Sequence, residues 1–238
     1  SAGVSPAAPG AVPMGAPSIA AAASKERVVV NTDVLTLTFD SEGGTLVRST
    51  FNKYKDMANK DAGFVLLDES TSRVYVAQSG LVAGSGGGAF PTHKTLMTLL
   101  PGERSLKDGQ NELQVRFESA DVGGVKLLKT YTIKRGAYDI AVRHDVINTG
   151  SAPVTPQLYL QLVRDGNKPP GESSFYSTFT GPAIYTEAKK YQKVEFKDIE
   201  NNKVDVEKQA SNGYVAMVQH YFASAWILPD GLKRDLFL

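Results

Sequence analysis

Most of the chain alternates apolar and polar residues, which is the pattern of strands with one buried face. Glu112 to Glu118 is the clearest case, because Leu113, Val115 and Phe117 are separated by polar residues. Similar runs, bounded by glycine-containing turns, predict further strands along the chain. They lie at 28–30, 34–39, 45–51, 64–67, 73–77, 125–134, 138–148, 157–163, 175–179, 183–186, 193–199, 204–207 and 234–238. The pattern therefore predicts an all-β chain of long antiparallel strands with little helix.

One run is more apolar and more aromatic than the rest. It extends from Gly213 to Trp226 and contains the only tryptophan of the chain. A helical period would also collect its apolar residues on one face, so periodicity alone does not decide its structure. Because the surrounding chain is β-patterned, we predict two strands buried on both faces, with a tight corner at Gln219-His220. We expect Trp226 in the core between the sheets, since Ala223 and Ala225 leave room for a large ring.

The first 24 residues differ in composition from the rest of the chain. They are almost entirely Ala, Gly, Pro, Ser and Val, and Pro6, Pro9, Pro13 and Pro17 are closely spaced. Such a segment neither pairs in a ladder nor buries enough apolar surface to offset its ordering entropy. We therefore predict a flexible linker at residues 1–24 and a single β domain at residues 25–238.

Composition narrows the classes of partner and chemistry. The chain has 238 residues, of which 42% are apolar, so it can bury a substantial core. Its 26 basic and 25 acidic residues nearly cancel, which favours neither nucleic acid nor an anionic membrane surface as a partner. With no Cys, disulfides and thiolate chemistry are excluded. No window has the ~18 to 20 uninterrupted apolar residues of a membrane-spanning helix.

Candidates for catalysis or metal binding are few. His93 lies near a glycine-rich loop, His144 on an apolar strand face and His220 at the predicted corner, and none has a convincing carboxylate partner. We interpret them as a solvated loop residue, a hydrogen-bonded core residue and a turn tether. The histidines are too far apart for the usual metal-ligand spacing. The glycine-rich stretch 80–89 lacks the Gly-Lys-Ser/Thr of a phosphate-binding loop and predicts a mobile surface loop. We predict no catalytic residue, metal or cofactor.

A stretch that mixes aromatic and basic residues is the one candidate partner-binding surface. Its residues are Tyr185, Lys189, Lys190, Tyr191 and Lys193. Lysines on an edge strand usually protect it from unwanted pairing, but an edge strand can also receive a partner's strand. Both interpretations stay open.

Several motifs, in order along the chain, together resemble the large periplasmic domain of YidC-type membrane protein insertases. They are Thr32 to Leu35 followed by Gly43-Gly44, Gly109 to Val115, Lys134 to Tyr138, Phe179 to Tyr185, Lys190 to Lys193, and Gly213 to Trp226. The resemblance covers roughly residue 27 to the last residue, and the joint occurrence is more specific than any single motif.

This resemblance implies a twisted antiparallel β-supersandwich like that of galactose mutarotases, with further strands expected after Leu238. It implies a domain at the periplasmic face of the bacterial inner membrane, in a multi-pass protein that inserts and helps to fold integral membrane proteins. The implied partners of the full-length protein are nascent membrane proteins and the Sec translocon with its accessory subunits. The insertion groove would lie among membrane helices outside this chain, which leaves a non-catalytic docking or scaffold role here.

The main alternative is a carbohydrate-binding or mutarotase-like protein on the same kind of fold. A mutarotase requires a histidine general acid and a carboxylate general base that face one sugar in a cleft. The sequence offers no such pair by proximity, so this alternative depends on what the fold brings together.

Overall fold

The computed structural model describes residues 25–84, 86–172, 175 and 178–238, and strands are the dominant secondary structure of these residues. The strands are β1 (Arg27–Asn31), β2 (Leu35–Asp40), β3 (Thr45–Lys55), β4 (Gly63–Val65), β5 (Asp68–Glu69), β6 (Val74–Ala83), β7 (Met97–Leu99), β8 (Glu112–Ser119), β9 (Val125–Lys134), β10 (Ile140–Asn148), β11 (Pro156–Arg164), β12 (Gly181–Thr186), β13 (Lys190–Lys193), β14 (Gln209–Ala210), β15 (Tyr214–Gln219), β16 (Phe222–Ile227) and β17 (Arg234–Asp235). One short helix, α1, spans Phe196–Glu200. The predicted linker at residues 1–24 lies outside the described residues.

The strands form three larger sheets and one small pair. The first sheet has the order β1-β2-β3-β6-β11, with β4 beside β3 and β5 beside β6. The second sheet has the order β10-β9-β8-β7, and the third has the order β13-β12-β15-β16. Strands β14 and β17 pair separately, and the strand pairings in all of these sheets are antiparallel. The prediction of an all-β antiparallel fold with little helix is confirmed, while the likeness to mutarotases stays a prediction.

The main core lies between the first and second sheets. In β8 the apolar residues of the sequence pattern are also the buried residues of the structure. Leu113, Val115 and Phe117 are buried, and the polar residues between them are not. Phe39 of β2 projects from the opposite sheet, and its ring centroid lies 4.7 Å from that of Tyr131 and 5.9 Å from that of Phe117. Interdigitated rings from two facing sheets are the usual core of a β-sandwich.

Two predicted strands are wrong, and the described residues of a third, at 175–179, do not support it. The strand at 193–199 is instead the end of β13 followed by α1, in which the half-buried Phe196 and Ile199 lie three residues apart on one face. Residues 204–207 form no strand, and Gln192 of β13 donates its side-chain amide to the carbonyl of Asp205 at 3.2 Å. Of 175–179, the described residues Phe175, 178 and 179 belong to no strand. At 193–199 and 204–207, alternation with charged residues had favoured strands where a helical turn and a loop occur.

The glycine-rich stretch is also shorter than the predicted loop, because β6 continues to Ala83. Gly80 lies within this strand, and a Cβ atom there would lie 2.5 Å from the hydroxyl oxygen of Tyr159 on β11. A glycine inside a strand often marks such a close approach. The stretch thus begins as a paired strand, which the glycine count had obscured.

The run from Gly213 to Trp226 is the hairpin of β15 and β16, so the prediction of two strands with a corner is confirmed. Burial on both faces holds for much of β15 but not for β16. Trp226 is half-buried and lies outside the core, contrary to the prediction. The alternation of β16 places Ala223 and Ala225 on its opposite, exposed face, where they cannot line a pocket for the ring.

Candidate functional site

The predicted partner-binding residues lie on the hairpin of β12 and β13, and β13 is the outermost strand of the third sheet. Tyr185 and Tyr191 face each other across this hairpin. The half-buried Tyr185 stacks on Tyr214 with ring centroids 5.6 Å apart, whereas Tyr191 is 46% exposed. The structure therefore places the candidate surface at a sheet edge and leaves Tyr191 as its accessible aromatic residue.

The three lysines of this hairpin have different surroundings. Lys189 forms an ion pair with Asp205 at 3.0 Å, and the ammonium of Lys193 lies 5.2 Å from the ring centroid of Phe179. Lys190 is exposed and takes a left-handed backbone conformation with φ of 60° at the turn. With two of the three lysines engaged by their own chain, the positive charge most available to a partner is that of Lys190.

An open cavity of about 380 Å³ lies between α1 and the loop after β11. It is lined by Gly166, Asn167, Lys168, Glu172, Thr178, Phe179, Thr180, Glu195 and Phe196. The cavity is large enough for a small ligand. Within its lining, Glu172 accepts a hydrogen bond from the hydroxyl of Thr178 at 2.9 Å. His220 reaches it only through Thr178, at 3.1 Å between Nδ1 and Oγ1. The lining therefore contains carboxylates without a histidine, and His220 ties its turn to this loop as predicted.

The other two histidines contact hydroxyl groups on the neighbouring strands β6 and β11, which the sequence had not suggested. His144 Nε2 lies 2.8 Å from Ser79 Oγ, and His93 Nδ1 lies 2.5 Å from the hydroxyl oxygen of Tyr159, the residue paired with Gly80. His144 is thus hydrogen-bonded and partly buried, as predicted. His93 is half-buried and bonded rather than a solvated loop residue, because Gly80 lets the loop approach the strand closely.

Lys129 lies beside both histidines, and Ser79, His93, Lys129, His144 and Tyr159 together form a polar cluster. Lys129 is its unexpected member, since the side chain is fully buried. Its amine donates hydrogen bonds of 2.6 Å to the carbonyl oxygens of Gly43 and Ser79. Burial lowers the pKa of Lys129 to about 7, and burial lowers the pKa of His144 to about 4. Two acceptors match the two N–H groups of a neutral amine. Lys129 therefore joins the first and second sheets near the middle of the sandwich.

Among the described residues, His93 and His144 are not hydrogen-bonded to a carboxylate of the kind that a mutarotase site pairs with histidine. The described side-chain partners of His93 and His144 are hydroxyl groups rather than carboxylates. Burial, reinforced by the nearby positive charges, lowers the pKa of both imidazoles, so neither is a good proton donor near neutral pH. Sequence reasoning missed Lys129, although a signal existed: it stands on the apolar face of β9, at even spacing from Leu127 and Tyr131.

Five aromatic rings form a second cluster that the sequence did not reveal, because they come from distant positions. The members are Phe51, Tyr54, Phe64, Tyr138 and Phe222. Phe64 and Phe222 stack with centroids 3.9 Å apart, which joins β16 of the third sheet to β4 of the first. Aromatic contacts of this kind add to the stabilisation from burial, so the cluster helps to fix the position of the third sheet.

Neither a metal centre nor a membrane span is found in the part of the chain that the structure describes. No group of three or more His, Asp or Glu side chains there is arranged to hold a metal ion. Within the same residues, no helix has the length and apolar character needed to cross a membrane. The candidate surfaces are thus the β12–β13 edge, the cavity beside α1 and the two clusters.

Comparison with known proteins gives a consistent result. Residues 27–238 match the family model of the YidC periplasmic domain. The "Membrane protein insertase YidC" of Bordetella parapertussis is 53% identical over 213 residues, which cover 90% of this chain and 37% of that protein. The protein of the same name from Burkholderia cenocepacia is 47% identical over a match that covers 92% of this chain and 39% of that protein. The one from Janthinobacterium sp. is 44% identical over a match that covers 94% of this chain and 38% of that protein. The chain therefore spans a little over a third of the length of these relatives.

Proposed function

Because the chain belongs to the YidC periplasmic domain family, we propose that it is the periplasmic domain of an inner-membrane protein insertase. The observation that carries this proposal is the match of residues 27–238 to the family model, supported by relatives named as membrane protein insertases. Since these relatives are far longer than this chain, we assign insertion itself to the rest of the full-length protein. The domain then lies at the periplasmic face of the bacterial inner membrane.

Within this assignment the domain has a docking or scaffold role without catalysis. Two features support such a role: the hydroxyl partners of His93 and His144, and the complete burial of Lys129. The partners we propose for the full-length protein are nascent membrane proteins and the Sec translocon with its accessory subunits. The proposed contact surface is the β12–β13 edge, with residues Tyr185, Lys189, Lys190, Tyr191 and Lys193, because it combines an accessible aromatic ring with a free lysine.

The function is tested by replacing the insertase of a bacterial strain that depends on it. The full-length protein that contains this chain should restore growth and the insertion of a reporter membrane protein when the strain's own insertase is depleted. Normal amounts of the full-length protein in the membrane without restored insertion would contradict the assignment.

The contact surface is tested separately with a photoreactive amino acid in the full-length protein. Placed at Tyr191, it should capture a Sec subunit or a nascent membrane protein. Tyr54 is a matched control, since it is a tyrosine of similar exposure that lies on β3 of the first sheet. Equal capture from both positions, or capture from Tyr54 alone, would remove the β12–β13 edge as the proposed surface.

The carbohydrate alternative is not favoured by the names of the relatives. We expect no acceleration of anomer interconversion when the chain is mixed with common hexoses and the exchange is followed by NMR. The alternative gains support if the chain accelerates the exchange and His93→Ala, His144→Ala or His220→Ala abolishes the acceleration.

A further inference from the structure

Strand β10 is a long sheet edge without the lysines, prolines or bulges that protect many edges. It ends the second sheet and pairs with β9 through nine consecutive residues, Ile140 to Asn148, without a break in register. The strand contains no lysine, proline or glycine. Among the described elements, its contacts are concentrated on β9. Its outward N–H and C=O groups are therefore available to another strand. Natural sheet edges usually carry features that prevent such pairing.

Other edges of the sheets are shorter or covered. Strand β13 has four residues, two of which are lysines. On β1, the amide of Asn31 donates to the carbonyl of Arg104 at 2.8 Å, so the neighbouring loop covers that end. On β11, the carbonyl of Gln161 accepts the indole N–H of Trp226 at 2.9 Å. Among the described strands, this difference marks β10 as a long edge whose outward backbone groups have no such contact.

We propose that β10 pairs with β10 of a second copy of this chain, antiparallel and around a twofold axis at His144. His144 is the middle residue of the strand, so all nine residues find a partner in this register. Residues at equal distances on either side of His144 then face each other across the axis. The two second sheets become one continuous sheet, and the twofold symmetry closes the assembly as a dimer.

The sequence of β10 is complementary to itself in this register. Arg143 faces Asp145 of the other copy, and the same pair forms a second time by symmetry. Within one chain these side chains already form an ion pair, at 2.8 Å, on the outer face of the sheet. Opposite charges directly across an antiparallel pair stabilise it, whereas like charges destabilise it.

The apolar residues also match. Val142 faces Val146 on the core side, and Ala141 faces Ile147 on the outer side. Val146 and Ile147 are each 44% exposed in the single chain, and both gain an apolar neighbour across the axis. The register thus covers the exposed aliphatic side chains of the strand while it pairs its charges.

Neighbouring registers are disfavoured by the same residues. With the axis at Arg143, that residue faces its own copy, and with the axis at Asp145, two carboxylates face each other. His144 meets its own copy at the proposed axis, but burial lowers its pKa to about 4, so two neutral rings meet near neutral pH. Charge therefore selects one register among those that keep the core face inward.

Charge variants studied by sedimentation equilibrium test the proposal. The wild-type chain should show a reversible monomer–dimer equilibrium as its concentration rises, because an edge-to-edge contact is small. Arg143→Asp or Asp145→Arg should each weaken the dimer about tenfold or more, since each places like charges in both cross-strand pairs. The double variant, and an equimolar mixture of the two single variants, should associate again because opposite charges then face each other.

Matched controls come from the exposed ion pair of Arg48 and Asp68, which lies on the first sheet with atoms 2.7 Å apart. Arg48→Asp and Asp68→Arg change the net charge by the same amounts and should leave the equilibrium unchanged. A wild-type chain that stays monomeric at every concentration overturns the proposal. A dimer that the β10 and control variants weaken equally places the contact elsewhere.

A cysteine experiment tests the register itself, since the chain has no cysteine of its own. In a His144→Cys variant, two cysteines face each other across the axis at a distance that a disulfide can bridge, and mild oxidation should give a disulfide-linked dimer. In an Ala141→Cys variant the two cysteines lie about 20 Å apart along the strands, and little crosslinked dimer is expected. Equal crosslinking of both variants would indicate random collision and contradict the register.

Discussion

The first sheet packs against its two neighbours in different ways. Toward the second sheet it buries apolar side chains completely, as Phe39 and Phe117 show. Toward the third sheet it combines the partly exposed aromatic cluster around Phe222 with directed polar contacts. The hydroxyl of Tyr75 donates to the carbonyl of Met217 at 3.2 Å, and it lies 2.5 Å from Ser224 Oγ. Burial over a wide area tolerates small shifts, whereas hydrogen bonds hold the third sheet only in one position.

This difference predicts unequal local stability. Met217 is the one buried member of the main core cluster that the described third sheet contributes. Regions with few buried apolar contacts open more easily than the core. We therefore expect the third sheet to separate from the first at lower denaturant concentrations than the sandwich unfolds. Trp226 lies at this junction and is the only tryptophan, so its fluorescence reports the separation directly.

The largest effect is expected in the sandwich core. Phe117→Ala removes a ring that packs on Phe39 and Tyr131 and leaves a cavity, so the free energy of unfolding should fall by ~3 to 5 kcal/mol. Urea denaturation followed by far-UV circular dichroism measures it. Ile227→Ala on β16 is the control, since its side chain is 72% exposed and should lose little. Similar losses in both variants would contradict the difference between the two regions.

Lys129 is the polar exception within the same core, and it makes stability depend on pH. Its pKa is lowered from 10.5 to about 7 in the folded state. Between these two pH values the unfolded chain therefore binds more protons than the folded chain. The free energy of unfolding should therefore rise with pH, by about 2 kcal/mol from about pH 7 to about pH 9. Lys129→Met should remove this slope, and His144 does not contribute because its lowered pKa acts below this range.

The measurement is thermal or urea unfolding at several pH values in one buffer mixture. Burial raises the pKa values of Tyr75 and Tyr131, and these tyrosines oppose the trend only above about pH 10. A wild-type curve without a slope between about pH 7 and 9, or an unchanged slope in Lys129→Met, would show that the lysine is charged in the folded chain.

Alternation in the sequence predicted most of the strands because burial of one strand face requires it. Leu113, Val115 and Phe117 are the direct case, since their spacing alone gives both the strand and its inner face. Short segments with charges at alternate positions were less informative. The alternation of Lys193 to Lys197 runs into the helix at Phe196–Glu200, and only the apolar pair Phe196 and Ile199, three residues apart, indicates the change of structure.

The candidate surfaces depended on tertiary contacts, which a single sequence does not contain. Trp226 illustrates the point: its β-strand was predicted, but its location at a sheet junction follows from β11, which lies far away in the chain. The hydrogen bond between His144 and Ser79 likewise joins residues that lie far apart in the chain. By contrast, the edge position of the strand that carries Lys190 and Lys193 was recognised from the sequence, because lysines are characteristic of edge strands.

A smaller effect is expected for Tyr75→Phe, which keeps the ring and removes the hydroxyl shared by Met217 and Ser224. The free energy of unfolding should fall by ~1 to 2 kcal/mol, because a buried carbonyl loses its donor. The variant should also widen the gap between the fluorescence and circular dichroism transitions. Tyr54→Phe is the control, since Tyr54 is 48% exposed. Coincident transitions in the variant would indicate that the third sheet unfolds together with the sandwich.

The smallest effect is expected for Trp226→Phe, which keeps an aromatic ring at the junction and removes the indole N–H that bonds to Gln161. One neutral hydrogen bond contributes about 1 kcal/mol, so the loss should be of that order. Circular dichroism must follow the unfolding because the variant has no tryptophan. A loss as large as that of Phe117→Ala would place Trp226 in the core after all. A loss near 1 kcal/mol would instead show that Trp226 contributes one directed bond to the junction rather than a deeply buried ring.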